Sequence, residues 1–373
     1  SDAQINSSID NLNHVFSNGN GNSEDLKIQF ALAVRDPNCL ATDGINRIDA
    51  SAVPGYLNDG VSDGGAGADE DDLKDLSKWP TDQYLNFWIV SEIAGNNGGF
   101  GIQGWASLPF NWVNPYAGSV MMYSVLGYDP ANANGWGVGG AGLNSGGENG
   151  TVVHEVGHFL GLYHTFQGDD GGILCPDDAI VGTDSDGCGD TPPHRRNASV
   201  CPANGTANPC VGGGILDEVK LNYMDYSSCN NQKFTSDQKD RMRSTMLNII
   251  GRKELVSSSK GLVAPPPFVP NTKVAPSTPS TTNLGGNFGG IGDISIGYVS
   301  NTSTFSSKWD NDNFGGNGYL DFAQECGMVL ETTVGETINL VIEPVSSNSQ
   351  GAKVWVDYDD SGTFDATEVV YEE

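Results

Sequence analysis

Basic residues are scarce in this chain: 18 lysines and arginines stand against 47 aspartates and glutamates in 373 residues, a formal net charge of −29. Such a surface repels phosphate backbones and anionic headgroups, which argues against nucleic acid as a partner. No run of 18 apolar residues occurs, so no membrane-spanning helix is expected. Cys-x-x-Cys pairs are absent as well, which weighs against reading the seven cysteines as a thiolate metal site. Histidine is scarcer still, with five in the whole chain.

Three of those five fall in one run. Residues 154–164 read His-Glu-Val-Gly-His-Phe-Leu-Gly-Leu-Tyr-His. On a helix, positions i and i+4 share a face, so His154 and His158 can present imidazole nitrogens to one metal ion with Glu155 beside them. Gly161 can take the positive φ that ends a helix and turns the chain, bringing His164 back as a third ligand. Three protein ligands leave the fourth tetrahedral position open, which is what separates a catalytic zinc from a structural one. A site that only stored zinc would have no need of the Glu155 carboxylate. The pattern predicts one catalytic zinc, with Glu155 as the general base of a hydrolase.

Downstream comes Asn222-Tyr223-Met224-Asp225-Tyr226. Here the chain resembles the metzincin metallopeptidases, in which the zinc motif is followed by a turn carrying a methionine beneath the metal. Together with His164-Thr165-Phe166-Gln167-Gly168, Asp190-Thr191-Pro192-Pro193 and Gly44-Ile45-Asn46-Arg47-Ile48, it is similar to the pappalysin family over roughly residues 1–252. The resemblance implies an α+β fold: a twisted mixed sheet with the zinc helix above, and an irregular disulfide-linked subdomain below. An antiparallel edge strand within 105–125 would bind extended polypeptide substrates. The resemblance also makes Met224 a packing base beneath the zinc and gives Tyr226 the role of hydrogen-bonding the tetrahedral intermediate. Some members of that family select a basic residue after the scissile bond with an acidic side chain between the methionine turn and the next cysteine; here that interval holds only Asp225, Tyr226, Ser227 and Ser228, so the resemblance implies no strong preference of that kind unless acidic residues elsewhere substitute.

Five cysteines (Cys175, Cys188, Cys201, Cys210 and Cys229) lie in the loop-rich stretch after the zinc helix. Cross-links there imply an oxidising compartment. The resemblance implies Cys175–Cys210 and Cys201–Cys229, and Cys188 would then take Cys39, leaving Cys326 over. The chain begins Ser1-Asp2, as expected of a secreted mature form after removal of a leader and a propeptide.

Calcium is a second metal expectation, structural and at one or more sites. The acidic stretch 183–191 reads either as a solvated loop or as a calcium loop, and the resemblance makes Asp186, the Cys188 carbonyl, Asp190 and Thr191 ligands. Farther on, Asp357, Asp359, Ser361, Thr363, Asp365 and Glu368 occupy positions 1, 3, 5, 7, 9 and 12 of a loop with glycine at 6, the oxygen spacing of an EF-hand loop, with a plain acidic hairpin as the alternative.

Apolar spacing predicts a helix over 3–16, strands over 26–34, 84–93 and 118–128, a short helix over 72–78 and a last helix ending near Ile250. Residues 253–284 are rich in proline and hydroxyl side chains and read as a linker. Residues 285–373 alternate as short strands at 294–299, 319–322, 336–343 and 352–357, a small all-β sandwich-like domain. That stretch resembles an incomplete GEVED-type domain, expected by analogy to tether the protein to a surface or polymer. The competing reading is a calcium-stabilised adhesion or carbohydrate-binding protein whose zinc domain is a scaffold.

Overall fold

The computed structural model describes residues 1–261 apart from 20, 22, 39, 99–100, 128–149, 178, 199 and 230–232. Beyond these it describes 291–297, 299–302, 335–344, 353–358, 361 and 364–372. The chain divides into a larger unit, Ser1–Val34 with Thr42–Leu262, and a smaller one, Arg35–Ala41 with Val263–Glu373.

In the larger unit α1 (Asp2–Phe16) forms where apolar residues recur every three or four positions, and Leu12, Val15 and Phe16 are fully buried. Residues 26–34 do not become the expected strand. Lys27 has φ 58°, and the Phe30 main chain spends both its hydrogen bonds on the Asn13 side chain of α1: N–H to Oδ1 at 2.7 Å and carbonyl from Nδ2 at 2.9 Å. An amide on a helix therefore stands where a neighbouring strand would be, while Leu26 and Ile28 still join the core.

After α2 (Tyr56–Asp59), the short parallel pair β1 (Val61–Ser62) and β2 (Ala68–Asp69) leads into α3 (Glu70–Asp75). Asp69 caps α3 by accepting from the Asp71 and Asp72 amides, so this helix starts and stops earlier than 72–78. A mixed sheet follows. Its central strand β5 (Gly118–Met122) runs parallel to β3 (Asn86–Val90) and antiparallel to β4 (Gly104–Ala106). Every β5 residue is buried, because both faces of the sheet are covered. Met121 joins the core around α1 and α4 (Gly150–Phe159), while Val120 and Met122 join Leu73 of α3, Trp88 and Val90 on the other face. The edge strand β4 lies at the start of the stretch where the resemblance put it.

The described residues of 160–235 are largely irregular and are closed by two disulfides, Cys175–Cys210 and Cys201–Cys229. Then α5 (Ser236–Asn248) and α6 (Ile250–Ser257) complete the unit. The larger unit therefore runs past residue 253, where the linker was expected to start: Leu255 packs on the core and the Lys260 carbonyl accepts the Val34 amide at 2.8 Å. Fully buried Arg252 bridges the layers, donating to the carbonyls of Phe159 at 2.8 Å and Ser107 at 2.9 Å.

In the smaller unit β6 (Ile291–Ile296) pairs antiparallel with β7 (Val299–Thr302) and β8 (Leu340–Pro344), and β9 (Lys353–Trp355) with β10 (Val369–Glu372). The expected strand at 294–299 is broken at Gly297, φ 59°, which turns the chain into a hairpin. Residues 263–284, the expected strand at 319–322 and Cys326 lie outside the described residues.

Candidate active site

Helix α4 carries His154, Glu155 and His158 on adjoining positions and ends in a Schellman turn. The Leu162 amide reaches back to the Gly157 carbonyl and the Gly161 amide to His158, each at 2.9 Å. Gly161 has φ 97°, and a Cβ there would meet Thr245 Oγ1 at 2.6 Å, so only glycine fits the turn. The reversal brings His164 against the helix. The three Nε2 atoms form a triangle with sides of 3.1 Å (His154 to His158), 3.0 Å (His158 to His164) and 3.2 Å (His164 to His154).

This triangle fits a zinc ion. Nitrogens about 2.0–2.1 Å from a tetrahedral centre lie roughly 3.3 Å apart. His154 Nδ1 donates to the Tyr223 carbonyl at 2.6 Å and His158 Nδ1 to the Leu162 carbonyl at 2.7 Å, so their Nε2 lone pairs face inward. Burial, then neighbouring imidazoles, push His154 down to about 3 and His164 to about 2, and burial also lowers His158. The cluster is thus neutral and donor-rich, and it is the metal-ligating group found among the described residues.

Glu155 is 6% exposed, and its Oε2 has no hydrogen-bond partner. Burial raises its pKa to about 8. Gly104 of β4 lies directly over it, where a Cβ would stand 3.3 Å from Glu155 Cγ. Edge strand β4 thus runs alongside the site, with Gln103 reaching Thr151 Oγ1 at 3.1 Å.

Met224, next to the Tyr223 carbonyl that holds His154, is fully buried. It presses on Gly157, where a Cβ would come within 2.6 Å of its Sδ. The Tyr226 ring packs on His164 at 4.7 Å and His154 at 5.6 Å. Its pKa is raised by burial and then by Glu155.

Sequence reasoning missed how this turn is held. Asn222 Oδ1 accepts the Met224 amide at 2.9 Å, and the Asn222 and Gln238 amides pair reciprocally at 2.8 and 3.1 Å. Gln238 is also the third residue of α5, forming a capping box with Thr235. That box was a readable signal for the helix start, though not for its partner. Also missed were His194, wholly buried with Nε2 2.9 Å from Thr165 Oγ1, and the Asp169–Arg196 ion pair.

Residues 67–247 match the peptidase M43 family model, described as pregnancy-associated plasma protein-A. The larger unit belongs to the M43, or pappalysin, family. Among relatives of this M43 unit, extracellular metalloprotease 1 of Coccidioides posadasii is 46% identical over 96 residues, 25% of this chain and 29% of the relative. An extracellular metalloprotease of Arthroderma otae is 44% identical over 94 residues, again 25% and 29%. The chain thus matches less than a third of these relatives' length. Mature mirolysin of Tannerella forsythia, solved with a cleaved peptide, is 29% identical with a TM-score of 0.50, covering 71% of this chain and 92% of that one. A promirolysin mutant from the same organism gives 28% identity and a TM-score of 0.52, covering 71% of this chain and 81% of that one.

The remaining expectations fare unevenly. Cys188 is a free, buried thiol, so the expected Cys39–Cys188 bridge is not made. Its pKa is pushed up to about 12 by burial and then by Asp186, and Cys39 lies outside the described residues. In the acidic loop, Thr191 Oγ1 stands 2.6 Å from Asp186 Oδ2 and 2.8 Å from the Cys188 carbonyl, which brings three proposed calcium ligands together. Asp190 Oδ2 accepts the Asp237 amide of α5 at 3.0 Å. In the smaller unit both oxygens of buried Glu368 accept main-chain amides, from Tyr358 at 3.1 Å and Asp365 at 2.9 Å. Asp357 Oδ1 accepts the Ser361 amide at 3.0 Å and Asp365 caps Thr367, while Asp359 and Thr363 lie outside the described residues.

Proposed function

We propose that the chain is a secreted zinc endopeptidase that hydrolyses internal peptide bonds of extracellular proteins. The observation that carries this reading is the convergence of three inward-facing Nε2 lone pairs beside a buried, unpartnered glutamate oxygen. Bound there by His154, His158 and His164, zinc would polarise the scissile carbonyl, acidify water and draw Glu155 into its carboxylate form.

Glu155 Oε2, with no protein donor to compete for it, takes the proton of the attacking water and returns it to the leaving amine. Tyr226, packed on two of the imidazoles, supplies a hydroxyl to the tetrahedral oxyanion. The free side of β4 pairs with an extended polypeptide through main-chain hydrogen bonds, an arrangement that admits the middle of a chain. Met224 is the packing floor. A carbohydrate-binding or adhesion protein would have no use for an unpaired buried carboxylate, which costs stability.

Two disulfides and relatives named as extracellular support secretion. Calcium remains part of the reading: Asp186, the Cys188 carbonyl, Asp190 and Thr191 as one structural site, and the loop closed by Glu368 as another. The smaller β unit serves as the tethering module.

The test is cleavage of a denatured protein by the purified chain. New internal termini that vanish with a chelator and return with one equivalent of zinc are expected; intact substrate after zinc loading would overturn the reading.

A further inference from the structure

Arg196 stands near the candidate catalytic centre with half of its guanidinium uncommitted. Its Nε and Nη2 fork onto Asp169 at 2.8 and 2.6 Å, and its own amide donates to the same carboxylate at 2.9 Å. Asp169 is 1% exposed, whereas the Arg196 side chain is 32% exposed. The acid is therefore hidden behind the base, and the pair presents its positive edge outward. Nη1 donates to no protein acceptor among the described residues.

The guanidinium is also held in place from below. It lies over the Phe166 ring at 4.8 Å, and Phe166 stacks on His164 at 4.8 Å with 7° between the planes. The same Phe166 ring meets Tyr226 at 4.8 Å. These contacts put the Arg196 guanidinium no more than about 10 Å from the His164 ring, a span of about three residues of extended peptide. A planar fork fixed on one edge by a buried carboxylate and free on the other matches a second carboxylate. No acid offsets it at the turn: Asp225 is 2% exposed and bound by Asn197 Nδ2 at 2.9 Å.

We propose that Arg196 is a specificity-determining residue that binds a substrate carboxylate within three residues of the scissile bond, so that the enzyme favours acidic sequences. The inference rests on the endopeptidase reading and names its substrate class. The carboxylate can come from an aspartate or glutamate side chain or from a chain terminus, and the two sources are separable.

The experiment uses the zinc-loaded full chain and peptides amidated at the C-terminus, carrying glutamate, glutamine or lysine at each of three positions on either side of the cut. A second set has a free C-terminal carboxylate and no acidic side chain. At one position, glutamate is expected to exceed glutamine by about tenfold in kcat/KM, the gain typical of a hydrogen bond to a charged partner, with lysine lower still. A gain confined to the free C-terminus assigns the carboxylate to a chain end.

In Arg196→Gln, and in Asp169→Asn/Arg196→Gln, which leaves no buried unpaired charge, the glutamate-to-glutamine ratio should fall to near one. Because the ratio is taken within each variant, loss of folded enzyme cancels. Binding of the preferred peptide to Glu155→Ala by fluorescence anisotropy should weaken by a similar factor when Arg196→Gln is added. If the enzyme cuts the glutamine peptides without favouring either carboxylate, or if the preference survives in both variants, the inference is overturned while the endopeptidase reading stands. If no peptide is cut, both fall.

Discussion

Replacing Asn222 by leucine removes the side chain that ties the methionine turn to α5. Its Oδ1 accepts from both the Met224 amide and Gln238 Nε2, and all of these groups are fully buried. Gln238 Oε1 keeps the Thr235 amide at 3.0 Å as donor, so the substitution strands two donors. At about 1–3 kcal/mol for each buried unsatisfied donor, the expected loss is about 3–4 kcal/mol. For a unit of this size that lowers the apparent Tm by about 10 °C. The same turn presents the Tyr223 carbonyl to His154 Nδ1, so zinc affinity should fall about 10–100-fold as that imidazole loses its fixed orientation. Differential scanning fluorimetry and a competitive zinc chelator measure the two effects. A variant with an unchanged transition and unchanged zinc affinity would refute the view that this amide pair holds the metal site from below.

Further outcomes follow from buried titratable and sulfur groups. Glu155 rises from 4.5 to about 8, so between those values the folded metal-free chain binds more protons than the unfolded one, and stability falls as pH rises through that window. Chelated wild type should therefore weaken relative to Glu155→Gln from pH 5 to 8, with the gap levelling off above; parallel profiles would refute it. The imidazoles act in the opposite sense: His154 and His164 drop from 6.5 to about 3 and about 2, so both proteins should lose stability as pH falls from 6.5 toward 3. Cys188 should resist alkylation until the protein is unfolded, whereas the disulfides, closing sequence separations of 35 and 28, should each contribute about 3–4 kcal/mol. Peptide mapping after native and denaturing alkylation, and thermal midpoints with and without reductant, check both.

What the sequence disclosed was local. His154, Glu155 and His158 are set by the period of one helix, and Gly161 follows from the single φ value its turn demands, so the metal site could be read without a fold. Met224 came from a motif. The missing parts depend on partners far away in the chain. The alternation over 26–34 described burial correctly but could not disclose that Asn13 would satisfy the backbone at Phe30. Cys188 falls to Cys39 only by remainder, yet its burial against Asp186 leaves it a thiol. Asn222 with Gln238, and Asp169 with Arg196, are separated by 16 and 27 residues of irregular or intervening chain, and nothing periodic announces them.

The most direct test sets the purified wild type beside Glu155→Gln, each assayed for bound zinc and for new termini in one denatured substrate by mass spectrometry. One zinc per chain in both proteins, with internal cuts made by the wild type alone, is the predicted result. Cuts at the same bonds by Glu155→Gln, or none by a fully zinc-loaded wild type, would contradict the account.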